Sequence, residues 1–159
     1  MSNKIRLGSM LAGLILISGT AFAKDKCETV VKAGLAKQPM AYDVKEIVIP
    51  KACKTFTLTL MNTNMAAFTK ASMGHNLVIS GEKKVQDIIS KSSNPKLAPD
   101  YLDQKSGYLY ATKMLGPNES DKLKISTAKL ITTEKNDGNL VFYCTFPGHL
   151  MMKGKIILK

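Results

Sequence analysis

The stretch KTFTLTL, residues 54–60, sets Phe56, Leu58 and Leu60 on one side of the chain and Thr55, Thr57 and Thr59 on the other. Side chains of a strand alternate faces, so this is a β-strand with one buried face. Similar short runs occupy 46–49, 76–80, 108–114, 122–126, 139–144 and 153–158, separated by turn signals such as Gly116-Pro117-Asn118 and Asn136-Asp137-Gly138-Asn139. Several short strands with spaced turns predict an all-β domain, an antiparallel sandwich or barrel. Residues 81–107 depart from that pattern, because Val85, Ile88 and Ile89 have helical spacing before Pro95 and Pro99 interrupt it. A short helix and loop packed over the sheets is expected there.

The first 23 residues belong to a different kind of segment. Lys4 and Arg6 precede an apolar run from Leu7 to Ile17 that ends in Ala21-Phe22-Ala23. A charged start, a short apolar stretch and a small-residue site describe a signal peptide, and the run falls short of the roughly 20 apolar residues of a spanning helix. Cleavage after Ala23 predicts an exported protein of one mature domain, residues 24–159, with no membrane span.

Lys4 and Arg6 removed from a formal charge of +11 leave +9 on the mature chain, and since Arg6 is the only arginine of the full sequence, every positive charge of the mature chain is a lysine. Base readout and bidentate phosphate clamping favour arginine, so a nucleic-acid partner is not expected. The lysine surface fits solvation or weak steering towards an acidic partner.

The mature chain has three cysteines and two histidines. In an exported protein an even subset of cysteines pairs and one is left over. Cys27 is near the mature N-terminus and Cys53 opens the threonine-rich strand, so a bridge between them fastens the first segment to the second. Cys144 is then the odd thiol, and it needs burial or a metal to escape oxidation.

Near the end of the chain, YCTFPGHLMMKG (143–154) collects a cysteine, a histidine and two methionines. Cys144 closes a strand, Pro147-Gly148 turns the chain, His149 can point back, and a methionine enters the next strand. His75 is the only other histidine. Thiolate, two imidazoles and a weak thioether form the ligand set of a blue copper site, whereas structural zinc prefers four strong ligands. No histidine remains for a second centre, so an enzyme is not expected. Strand parity selects Met152, which shares a face with Gly154, Ile156 and Leu158, over Met151, which shares one with Lys153, Lys155 and Lys159.

Met73-Gly74-His75-Asn76, the run 144–149 and Met152-Lys153-Gly154 resemble the copper-site motifs of the azurins, bacterial members of the cupredoxins. The likeness extends through Ala52-Cys53-Lys54 and Asp100-Tyr101-Leu102. It implies a Greek-key β-sandwich, cupredoxin-like with the helix-containing insertion, and one mononuclear type 1 copper. It also implies single-electron shuttling between periplasmic redox proteins such as c-type cytochromes or reductases, by a chain expected to act as a monomer. By motif, His75, Cys144 and His149 would be strong ligands, Met152 a weak axial ligand and the Gly74 carbonyl the other. The azurin disulfide matches Cys27 with Cys53, and Asn76 would bond to the ligand loop near Thr145. This sequence departs from the pattern in a His149–Met152 spacing one residue shorter, in Leu77 where tryptophan is usual, and in Asn64 at the place of a further, non-ligand histidine. His149 is expected to turn one ring edge to solvent, amid an apolar patch of Met40, Phe68, Met73, Phe146, Pro147 and Leu150. Copper binding or delivery on the same fold is the alternative, favoured if Met61, Met65 and Met151 formed a second soft site.

Overall fold

The computed structural model describes residues 26–159, so the expected signal peptide, residues 1–23, lies outside the described residues. The chain runs β1 (Glu28–Leu35), β2 (Gln38–Tyr42), β3 (Glu46–Ile49), β4 (Thr55–Asn62), α1 (Lys70–Met73), β5 (Val78–Gly81), α2 (Val85–Ser92), β6 (Tyr110–Ala111), β7 (Ser120–Ser126), α3 (Thr127–Asp137), β8 (Leu140–Tyr143) and β9 (Lys153–Leu158). One sheet has the order β2-β1-β4-β7 and the other β3-β9-β8-β5-β6. The expected Greek-key sandwich is thus present, with the chain crossing repeatedly between its two sheets.

The threonine-rich strand shows why the layers close. In β4, Phe56, Leu58 and Leu60 are fully covered, while Thr55 and Met61 are exposed. They meet Leu123 and Ile125 of β7 and Val31 and Ala33 of β1, and the same cluster includes Ile49, Ile79, Phe142 and Ile156 of the facing sheet. Each such aliphatic or aromatic side chain contributes about 1.5–3 kcal/mol by leaving water.

The antiparallel expectation needs correction. β1 pairs with β4 in parallel, from Glu28↔Thr57 to Ala33↔Asn62, and β3 pairs with β9 in parallel. Alternation defines a buried face but not the direction of the neighbouring strand, and both parallel pairs join segments linked through the opposite sheet. The Cys27–Cys53 disulfide is formed, with its Cα atoms 5.6 Å apart. It ties the approaches to β1 and β4, beside the Thr57 N–H donating to the Cys27 carbonyl at 2.9 Å.

The insertion forms α2 where helical spacing predicts a helix, with Ile88 buried against Val78, Leu102 and Tyr143. Sequence reading expected neither the short α1 nor the 11-residue α3. Ser126 caps the start of α3 and Gly138, at φ +81°, ends it, so the Asn136–Asn139 turn signal is a helix terminus rather than a link between strands. The strand expected over 108–114 shrinks to Tyr110–Ala111, because the residues beyond it bond to the segment carrying His75.

Candidate metal centre

His75 is delivered by a short helix and locked by a bridge. Thr69 and Ser72 form a capping box on α1, and the chain leaves that helix through Gly74 in an extended conformation. A side chain on Gly74 would strike the Lys70 carbonyl and the Met114 side chain, so only glycine lets the ligand segment lie this close. His75 then exchanges backbone hydrogen bonds with Leu115, at 3.1 and 2.8 Å.

The other donors come from the turn between β8 and β9. Cys144 follows the last residue of β8, and its N–H donates to the Met152 carbonyl at 3.0 Å. Gly148 adopts φ +90°, which turns the loop; the His149 N–H donates to the Phe146 carbonyl at 3.0 Å and the Met152 N–H to the His149 carbonyl at 2.8 Å. These bonds hold His149 against the cysteine, with its Nδ1 3.7 Å from Cys144 Sγ.

Donor atoms of His75, Cys144 and His149 all lie within 4.8 Å of one another. Bonds of about 2.0–2.3 Å to nitrogen and sulfur let one ion span donors at that order of separation. All three side chains are buried, and the rings of His75 and His149 lie 4.9 Å apart. His75 Nδ1 is buried without a hydrogen-bond partner, a cost a protein rarely accepts unless something else binds there. Burial holds both imidazoles down to about 4, with the charge of His149 also acting on His75, so both are neutral donors near neutral pH. Burial also pushes the Cys144 thiol up to about 11, despite backbone hydrogen bonds that act the other way. A cation at the shared point reverses that preference, because a coordinating thiol loses its proton. The three donors therefore fit one soft or borderline metal ion.

Met152 is 1% exposed and Met151 is 79% exposed, and Met152 belongs to the same core cluster as Cys144. Gly74, the other weak-ligand candidate, is also buried next to His75. Two further segments brace the donors. The Asn76 amide donates to Thr145 Oγ1 at 2.8 Å and accepts from the Thr145 N–H at 2.9 Å, which fastens the His75 segment to the Cys144 loop. The Asn64 amide lies 2.9 Å from His75 Nε2, and its nitrogen donates to the Met73 carbonyl at 3.2 Å.

His149 corrects one expectation. Its side chain is only 3% exposed, with the Phe146 ring stacked at 4.6 Å and 31°, so the loop covers most of the edge that sequence reading turned to solvent. On the loop itself Pro147 and Leu150 are exposed and Phe146 is half-buried, which leaves apolar surface there; of the other residues expected in the patch, Met40 is exposed and Phe68 and Met73 are half-buried. Sequence reading missed Tyr42, whose hydroxyl donates to the Asn76 carbonyl at 2.5 Å. Only its inward parity in β2 could have pointed to it, since it lies in none of the recognised motifs.

A sequence profile described as copper binding proteins, plastocyanin/azurin family, matches residues 29–159. An azurin of Pseudomonas fluorescens biotype B is 38% identical over 136 residues, covering 84% of this chain and 99% of that protein. An azurin of Pseudomonas putida is 39% identical over 122 residues, covering 76% of this chain and 91% of that protein. Among solved structures, the azurin Az-iso2 of the obligate methylotroph Methylomonas sp. strain J superposes with a TM-score of 0.71 at 25% identity, over 84% of this chain and 98% of that one. With the ligand motifs, the mixed sandwich and the His-Cys-His cluster in agreement, this chain belongs to the plastocyanin/azurin family of copper-binding proteins.

Proposed function

We propose that this protein is a blue copper electron carrier, with His75, Cys144 and His149 as strong ligands and Met152 and the Gly74 carbonyl as weak ones. The observation that carries this reading is the buried trio of donors within 4.8 Å, with His75 Nδ1 left unpartnered on its protein side. Copper, when bound, supplies a one-electron couple between Cu(I) and Cu(II).

The chain's own residues supply the rest. His75 and His149 are held neutral by burial, and Cys144 offers a thiolate once its proton leaves. Thr145 and Asn76 fasten the two ligand segments, so that neither needs to move when an electron arrives; small rearrangement keeps the transfer barrier low. The buried walls exclude water from the donors, and a soft thioether from Met152 suits both oxidation states. No histidine beyond these two exists to build a second centre, which supports a carrier over an enzyme.

A leader over residues 1–23 supports export to the periplasm with 24–159 as the mature domain, and a disulfide at Cys27–Cys53 suits that oxidising compartment. No helix of the described residues is long and apolar enough to cross a membrane. Redox partners such as c-type cytochromes or reductases would meet a monomer at the apolar surface around Leu150. Mixing the reduced, copper-loaded protein with an oxidised c-type cytochrome in a stopped-flow instrument tests this function. A carrier reduces the cytochrome and keeps its copper, whereas a delivery protein surrenders copper to a chelating acceptor without rapid electron exchange.

A further inference from the structure

Asn76 is held from a third direction, by a strand remote from both ligand segments. Tyr42 ends β2, is 4% exposed, and packs its ring on Phe142 at 5.3 Å and 60°. Its hydroxyl donates to the Asn76 carbonyl at 2.5 Å, inside the core. That carbonyl belongs to the peptide unit whose other end, the Leu77 N–H, donates to Thr112 Oγ1 at 2.9 Å. The peptide after Asn76 is therefore clamped on both its polar ends, while the Asn76 side chain is clamped to Thr145. His75 lies one residue before this clamp and Cys144 one residue before Thr145.

We propose that Tyr42 is a positioning residue of the copper site: its hydroxyl fixes the Asn76–Leu77 peptide and thereby the placement of His75 relative to Cys144. This inference rests on the copper reading given above. The chemistry of the contact favours a fixed strut over a redox relay. A tyrosine that gives up an electron must also give up its proton, and an amide carbonyl is too weak a base to take it. Burial, together with the nearby Cys144, raises the Tyr42 phenol well above its ordinary range, so the hydroxyl stays protonated and keeps donating. A buried hydrogen bond between neutral groups is stiff because neither group has water as a substitute partner.

Tyr42→Phe removes the hydroxyl and keeps the ring on Phe142. Tyr143→Phe is the control, because its hydroxyl pairs with Ser80 at 3.1 Å on the side of β8 that faces α2, away from the donors. Both variants are expected to melt at lower temperature than the parent. In the copper-loaded proteins, only Tyr42→Phe is expected to shift the charge-transfer absorption and the copper hyperfine splitting. The same variant is expected to slow electron self-exchange by about threefold or more, as a misplaced ligand does. A Tyr42→Phe protein as unstable as expected but with parental spectrum and self-exchange rate overturns the inference and leaves the copper reading intact. A parent that gives no blue copper spectrum overturns the copper reading instead. Should Tyr42→Phe not fold, proton resonance of the parent decides. The Tyr42 hydroxyl proton is expected to exchange slowly and to move when Cu(I) is removed, and a rapidly exchanging or unmoved signal overturns the proposal.

Discussion

Cys144 and Met152 are cross-strand neighbours: the Cys144 N–H donates to the Met152 carbonyl at 3.0 Å, and both side chains are buried in the same cluster between the sheets. The short loop between them turns His149 towards the thiol and leaves Leu150 and Met151 outside. Alternation then assigns opposite fates to two adjacent methionines. Met152→Leu is expected to retain copper and raise the reduction potential, because a weak thioether tunes the couple more than it holds the metal. Met151→Leu is expected to change neither. Voltammetry of the two variants checks the assignment, and a larger shift in Met151→Leu would reverse it.

Asn76→Ala removes both hydrogen bonds to Thr145 and leaves a buried N–H and a buried hydroxyl without partners. The expected loss is about 2–4 kcal/mol of stability. Copper affinity is expected to fall by about 10- to 100-fold, as for other partners that orient metal ligands. Denaturant unfolding and competitive copper titration measure the two effects separately.

The disulfide should matter for stability alone. Its cysteines are 26 residues apart in sequence and fasten β1 to β4, while Cys144 is the free thiol among the described residues. Replacing both Cys27 and Cys53 by alanine is expected to cost about 3 kcal/mol through the freed unfolded chain. The absorption spectrum of the copper-loaded protein should be unchanged, and a lost spectrum would place the bridge in the site's own support.

The metal-free protein should weaken in mild acid. His75 and His149 titrate near 4 when folded and near the ordinary 6.5 when unfolded, so between those values the unfolded chain binds protons that the folded chain refuses. Stability is expected to be full above about pH 6.5 and to fall as pH drops towards 4, by about 1–3 kcal/mol for the coupled pair of rings together. Urea melts of metal-free protein across that range check the slope. A flat profile would mean that the rings are not held neutral.

Some of this architecture was legible because its pattern is local. β3 and β9 begin and end where the pattern predicts, and β4 differs only at its ends; β4 has the clearest apolar row, whereas Val48 of β3 and Ile157 of β9 blur the alternation in theirs. β1 and β2 went unread: in the inward row of β1 only Val31 and Ala33 are buried, Val30 faces out, and Pro39 interrupts β2. α3 was masked by its threonines and by a terminal signal that also suits a hairpin. Parallel pairing of β1 with β4 has no local signature at all. At the site, residue types and motif picked out His75, Cys144 and His149, which the fold brings within 4.8 Å of one another, but burial of His149 under Phe146 and the bond from Tyr42 to Asn76 depend on which segments the fold stacks.

The most direct test of the copper account is the optical and paramagnetic-resonance spectrum of the copper-loaded mature protein beside that of Cys144→Ser. The expected result is one copper per chain with an intense visible thiolate-to-copper band and a narrow hyperfine splitting, both lost in the serine variant. A colourless or weakly absorbing parent, or a Cys144→Ser protein that keeps the parental spectrum, would contradict it.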